Sequence, residues 1–77
     1  MTAEEIGDLL AEDPFQPFVL RLSDSRVIEV RNPALVVSTQ TSLVYFHPSP
    51  HPRVRKDFQL ISLRHIVTIE PAEPEAA

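Results

Sequence analysis

Eight prolines divide the chain of 77 residues into short segments, and this division limits what the chain can fold into. A proline removes a backbone donor and fixes its φ angle, which excludes it from helix interiors and from the inner strands of a sheet. The links between the predicted strands hold too few residues for a helical crossover between two parallel strands. The prolines are Pro14, Pro17, Pro33, Pro48, Pro50, Pro52, Pro71 and Pro74. We therefore expect any sheet in this protein to be antiparallel.

The first segment has the pattern of a short helix. Thr2 followed three residues later by Glu5 is a capping-box pattern, which marks a helix start. Apolar residues then recur at helical spacing at Ile6, Leu9 and Leu10. Because a proline disfavours helical geometry in the residue before it, Pro14 ends the pattern, and the predicted helix spans about residues 3–12.

Five later segments predict β-strands. Apolar and polar residues alternate with the period of two that is typical of a strand with one buried face. These segments are residues 18–23, 26–31, 43–47, 58–62 and 66–70. Asp24 and Ser25 form the predicted turn of a hairpin between the first two strands, and residues 63–65 form a tight turn between the last two. The short run 35–37 is interpreted as an extension of the second strand beyond a break at Asn32-Pro33.

The fold class that follows is α+β and mainly β. We expect an N-terminal helix and a strongly bent, five-stranded antiparallel sheet that curls into a small open barrel of the Sm-like or SH3-like kind. Residues 1–70 are predicted to form this single domain. Residues 71–77 contain no apolar residue larger than alanine and are predicted to be a disordered acidic tail.

Size and composition bear on stability and location. With no cysteine, the chain has neither a disulfide nor a cysteine-based zinc site, so stability must come from packing or from self-association. No apolar run approaches the roughly 20 residues that span a bilayer. The first ten residues are acidic where a secretory signal would be basic. We expect a cytoplasmic homo-oligomer with no membrane partner.

Charge is divided unevenly along the chain. Residues 1–20 hold five acids and no base, whereas residues 21–65 hold all seven lysines and arginines. Because nucleic-acid affinity depends on neutralising phosphates, a basic group within this middle region is a candidate RNA-binding site. Its members are Arg53, Arg55, Lys56, Arg64 and His65. The alternative is a solvated loop whose charges keep a hairpin edge from pairing with other chains.

Two resemblances accompany this pattern. The order of elements and the run from Ile61 to Thr68 resemble the second Sm motif of the Hfq-type RNA chaperones, where a basic residue and a histidine stand between the last two strands. This implies an Sm-like fold and RNA-binding roles for Arg64 and His65, although Ser25 replaces the glycine of the family's first hairpin. The run from Pro14 to Phe18 resembles that of a group of short bacterial PFxPF-type proteins, which implies no function.

Catalytic, metal and cofactor sites are not indicated. His47 and His51 have a spacing that suits a metal site on a helix, but Pro48 and Pro50 forbid that helix. Gly7 is the only glycine, so there is no glycine-rich phosphate loop. No serine lies in a recognisable nucleophile motif. We expect that the protein is not an enzyme and takes no metal or cofactor.

Two aromatic residues raise the question of base stacking. Tyr45 and Phe46 are neighbours on a predicted strand, and neighbours on a strand point to opposite faces. We therefore expect at least one of the two to pack in the core.

The sequence leads to a ranked set of functions. The first hypothesis is a small, self-associating, non-enzymatic interaction module that acts through its basic loop and sheet edges, with an unknown protein partner. The alternative is an Sm-like binder of RNA or single-stranded nucleic acid that uses the basic group. A third hypothesis is a subunit that caps or bridges a larger complex.

Overall fold

The structure is a computed structural model that describes residues 2–51, 53–54 and 57–72. One helix and six strands make up the fold, with two short 3-10 helices at its corners. Along the chain these are α1 Ala3–Leu10, β1 Phe18–Leu22, β2 Val27–Val30, η1 Pro33–Leu35, β3 Val36–Ser38, β4 Ser42–Phe46, β5 Phe58–Ser62, η2 Leu63–His65 and β6 Ile66–Pro71. The fold is therefore α+β and mainly β, as predicted.

Helix α1 begins as the capping-box pattern predicts. The Thr2 hydroxyl accepts a hydrogen bond from the Glu5 amide at 3.2 Å. The helix ends at Leu10, two residues before the predicted end, with Ala11 as its C-cap. Ile6 is fully buried in the core, so the helix is held by one apolar face.

The six strands form two antiparallel sheets of three strands each. The strand order is β2-β1-β6 in the first sheet and β3-β4-β5 in the second. The prediction of five strands in one bent sheet that forms a barrel is not confirmed. The chain passes from one sheet to the other twice, from β2 to β3 through η1 and from β5 to β6 through η2.

The break at Asn32-Pro33 explains the sixth strand. The Asn32 side chain accepts a hydrogen bond from the Ala34 amide at 3.0 Å and caps η1. Pro33 opens this turn, where its missing N–H leaves no ladder bond unmade. The run that was expected to extend the second strand thus becomes β3, and it pairs with β4 instead.

The two predicted turns between consecutive strands are present. Ser25, in the β1–β2 turn, has a φ angle of 73°. This is the left-handed region, which glycine occupies without steric cost. The turn at residues 63–65 is the 3-10 helix η2, and its His65 carbonyl accepts a hydrogen bond from the Ser23 amide at 2.8 Å.

The core lies between the sheets and under the helix. Its fully or nearly buried side chains are Ile6, Phe18, Leu20, Leu22, Ile28, Val30, Val36, Leu43, Ile61, Leu63 and Ile66. β6 continues to Pro71, and the Ala72 amide donates to the Pro17 carbonyl, so the first two residues of the predicted tail belong to the fold. Residues 73–77 lie outside the described residues. Within the described residues, no helix has the length and apolar character needed to span a membrane.

Candidate functional site

Among the described residues, strand β5 has β4 on one side and no strand on the other. It pairs with β4 from Phe58 opposite Phe46 to Ser62 opposite Ser42, without a bulge. The His47 amide donates to the Asp57 carbonyl, and the Leu63 amide donates to the Thr41 carbonyl. Because hydrogen-bonding direction alternates along an antiparallel strand, residues 57, 59, 61 and 63 face β4. The backbone groups of Phe58, Leu60 and Ser62 therefore face away from the sheet, and we call them the β5 edge.

One donor of the β5 edge already has a partner. The Phe58 amide donates to the Asp57 carboxylate Oδ1 at 2.8 Å. This contact satisfies an outward-facing N–H that would otherwise depend on water. Asp57 is thus an internal competitor for any second strand that approaches this end of β5.

An apolar surface adjoins the β5 edge. Val37, Val44 and Leu60 lie opposite one another across the three strands, and Phe46 lies opposite Phe58. All five side chains point away from the core, and we call them the outer apolar face. Leu60 is 65% exposed and Phe58 is 59% exposed, with ring centroids of Phe46 and Phe58 6.4 Å apart. Exposed apolar groups that cluster in this way indicate an interaction surface.

A cleft of about 350 Å³ runs beside the Ser62 end of β5. We call it the hairpin cleft because the β1–β2 turn forms its other wall. It is lined by Leu22, Ser23, Asp24, Arg26, Leu60, Ile61, Ser62 and His65. The Ser23 hydroxyl lies 3.1 Å from His65 Nδ1, and the Arg26 guanidinium donates to the Gln59 side chain at 3.2 Å. The cleft therefore combines polar groups with the exposed side chain of β5.

Asp24 carries a perturbed charge at the rim of this cleft. The Arg26 backbone N–H donates to its carboxylate and, together with the Arg26 guanidinium at 2.7 Å, lowers the pKa of Asp24. A lowered pKa in the folded state means that the contact stabilises the turn at neutral pH. That contribution is lost as the pH falls through the pKa of the folded carboxyl. Because Asp24 is exposed, solvent screening keeps the effect small.

The other three edges differ from β5. On β2, the outward-facing residues include Glu29, which forms an ion pair with Arg31. β3 has only three residues. β6 has a register shift against β1 and ends at Pro71, which has no N–H. Charge, shortness, bulges and proline are the devices that keep natural sheet edges from pairing.

The predicted basic group is not one surface in the described part of the chain. Arg53 is exposed in the loop before β5, whereas Arg64 and His65 are exposed in η2, after β5. The length of β5, about 13 Å at 3.3 Å per residue, separates these two positions. Arg55 and Lys56 lie outside the described residues. His65 and Arg26 instead both line the hairpin cleft.

The aromatic and histidine candidates take several positions. Tyr45 packs against the core, as expected for at least one of the two, and Phe46 lies on the outer face of the same strand, where it is half-buried. His47 Nε2 lies 3.2 Å from Gln59 Nε2, and the Arg53 amide donates to His51 Nδ1. Within the described ranges, no three His, Cys, Asp or Glu residues are grouped as a metal would require.

Sequence reasoning assigned β5 to the sheet but missed its exposed side. A signal was present: Phe58 and Leu60 are apolar on one face of the strand, while Ile61 is apolar on the other. A strand that is apolar on both faces needs a cover for each of them.

Comparison of the chain with protein-family models, with curated proteins and with solved structures finds no significant match.

Proposed function

We propose that this protein is a non-enzymatic, cytoplasmic interaction module that associates with copies of itself through the β5 edge. The observation that supports the proposal most is that β5 is a regular strand whose outward-facing backbone groups adjoin the outer apolar face. Backbone hydrogen bonds to a second strand provide affinity in such contacts, and neighbouring side chains provide specificity.

The size of the protein supports the same function. A domain of this length buries a smaller share of its surface than a larger domain does, so its core contributes less stability. Apolar surface buried between two copies adds to that stability. Leu60 and Phe58 are large apolar side chains that remain in water in the isolated chain. Each contributes about 1.5–3 kcal/mol when fully buried.

The proposal includes an Sm-like arrangement of the two sheets. Its support is the order of elements: an N-terminal helix, a strand pair that bends at Asn32-Pro33, and a 3-10 turn between β5 and β6. β2 leads into β3 and β5 leads into β6, so the chain connects the two sheets at both sides of the core, as the strands of a small open barrel do.

The test places a charge on the β5 edge. Leu60→Lys puts an ammonium group among the outward-facing residues of β5, a substitution that natural edges use to prevent pairing. Light scattering on a size-exclusion peak is expected to give a multiple of 8.7 kDa for the parent and a single chain for the variant.

The matched control is Val67→Lys. Val67 is 63% exposed on β6, so the control adds the same charge at nearly the same exposure on a different edge. It is expected to keep the mass of the parent. A monomeric parent, or loss of association only in Val67→Lys, would refute the proposed function.

A second candidate is RNA or single-stranded nucleic-acid binding. Arg64 and His65 are exposed, and His65 shares the hairpin cleft with Arg26. These side chains would contact phosphates from the η2 side of the molecule.

Fluorescence anisotropy of a labelled single-stranded RNA at low salt tests this candidate. Binding is expected to weaken in the double variant Arg64→Ala and His65→Ala. Arg21→Ala is the control because it also removes a positive charge, from a side chain that donates to Glu70 at 2.9 Å within the β2-β1-β6 sheet. Affinity that does not change with salt, or a double variant that binds like the parent, would exclude phosphate recognition at η2.

A further inference from the structure

We infer that the copy bound at the β5 edge is held by its own β5, antiparallel about a two-fold axis at Leu60. This inference rests on the proposed self-association and adds its partner strand, its register and its symmetry. The result is a closed dimer with one continuous six-stranded sheet, because an isologous contact uses the same surface of both copies.

The edges of the molecule favour this partner strand. Head-to-tail pairing would require a second receptive edge, but β2 carries an ion pair, β3 is short, and β6 has a register shift and ends at Pro71. Among the described strands, β5 is the edge with none of these features. A receptive edge without a complement elsewhere on the molecule pairs with its own copy.

The hydrogen bonds specify the register. With Leu60 opposite Leu60 of the second copy, Phe58 comes opposite Ser62. All three residues point their backbone groups toward the partner in this register. The two Leu60 residues exchange two hydrogen bonds, and each Ser62 amide meets a Phe58 carbonyl. Each Phe58 amide can donate to the Ser62 carbonyl of the other copy once its hydrogen bond to the Asp57 carboxylate is broken.

Charge favours the same register. The strand Phe58–Ser62 has no charged side chain, so two copies meet without like charges in opposition. Just before the strand, Asp57 comes opposite Leu63 of the second copy in this register, so its carboxylate meets no acidic side chain there.

The outer apolar face also becomes continuous. Val37, Val44 and Leu60 form a row across each sheet. The two-fold axis joins two such rows at Leu60. The exposed Leu60 side chains then cover one another at the centre of the contact.

The absence of cysteine permits a direct test by single-cysteine crosslinking. In the inferred register the two Leu60 Cα atoms are about 5.5 Å apart, within the range of a disulfide. The two Phe58 Cα atoms are about 14 Å apart, because they are offset by four residue steps along two neighbouring strands. Mild oxidation is therefore expected to crosslink Leu60→Cys and leave Phe58→Cys uncrosslinked. An equimolar mixture of Phe58→Cys and Ser62→Cys is expected to crosslink only between the two variants.

Light scattering of the same variants under reducing conditions distinguishes self-association itself from the two-fold β5 pairing inferred here. Association of the reduced variants without a Leu60→Cys crosslink would overturn the two-fold register and leave self-association standing. Crosslinking of a Leu60→Cys and Val67→Cys mixture in preference to Leu60→Cys alone would indicate head-to-tail pairing with β6. Monomers at high micromolar concentration would overturn both self-association and the two-fold pairing.

Discussion

The β5 and β6 edges follow each other in the chain, separated by η2, and they are built differently. β5 keeps a regular register with β4 and carries exposed apolar side chains. β6 shifts register against β1 and ends at Pro71. The Ala72 amide donates to the Pro17 carbonyl, so by alternation Ile69 and Pro71 face outward on β6, and Pro71 has no donor there.

Helix α1 increases the difference. A groove lined by Glu5, Asp8, Leu9 and residues 67–69 lies between the helix and β6, so the helix flanks the β6 edge and adds two carboxylates to its rim. Covering helices, charges and prolines all keep strand edges from pairing. Exposure alone does not make an edge receptive, since Val67 is as exposed as Leu60.

The largest expected effect tests the direction of hydrogen bonding in β5. Ile61→Pro removes an amide that faces β4 together with a buried core side chain, and it is expected to destabilise the fold by about 2–5 kcal/mol. Leu60→Pro removes an amide that faces outward, so it is expected to cost less stability and to abolish association. Urea unfolding at one low protein concentration, with light scattering, measures both. Equal destabilisation by the two prolines would contradict the assigned β5 edge.

Asp57→Ala removes the carboxylate that competes with a second strand for the Phe58 amide. The Phe58 amide of each copy then becomes available to the second strand. Pairing of the parent has to break two Asp57–Phe58 hydrogen bonds, each worth roughly 0.5–1.5 kcal/mol, so their removal is expected to tighten the dimer about tenfold. Sedimentation equilibrium measures the dissociation constant. Weaker association would show that the Asp57 carboxylate stabilises the dimer more than it competes with pairing at the β5 edge.

Pro71→Thr asks whether a missing donor keeps β6 inert. Threonine restores an outward-facing N–H and suits a strand. One hydrogen bond contributes about 1 kcal/mol, which corresponds to about a fivefold larger association constant for pairing at the β6 edge than in the parent. Weak association through β6 is therefore expected. It is expected as species larger than the parent in light scattering. Combining Pro71→Thr with Leu60→Lys removes association through β5, so that any remaining association is through β6. If the double variant is a monomer, helix α1 and not the missing donor keeps β6 from pairing.

Ser25→Gly has the smallest expected effect and tests whether the turn beside the hairpin cleft influences the β5 edge. Glycine relieves the positive φ of Ser25 but adds freedom to the unfolded chain, so the net gain is about 0.5–1 kcal/mol. Thermal unfolding measures it. Dimer affinity is expected to stay the same, and a changed affinity would mean that the turn helps to set the β5 edge.

Local patterns predicted the elements whose causes are local. The Thr2 capping box located the start of the helix, and alternation gave β5 its observed bounds. The separation of β3 from β2 was missed because it depends on the Asn32 side chain capping η1 and on β3 finding β4 as its partner. The first cause is visible in the sequence as Asn-Pro, whereas the second is a tertiary pairing.

The candidate site was less accessible to sequence reasoning. Basic residues drew attention to Arg53 and Arg64, although the predicted strand 58–62 already placed them before and after β5. An edge strand and an inner strand have the same alternation, so the sequence does not show which backbone groups lack a partner. Phe58 and Leu60 acquire their significance only once β4 is known to be the neighbour of β5 on one side.

The hydrogen bond between Asp57 and Phe58 gives the protein a built-in spectroscopic reporter. In the isolated chain the Phe58 amide proton is shared with a neighbouring side chain, and in the dimer it is shared with a backbone carbonyl of the other copy. Its chemical shift and its rate of exchange with solvent deuterium therefore follow the fraction of chains that are paired. A single amide resonance, followed across a dilution series, would report on assembly without any label or substitution.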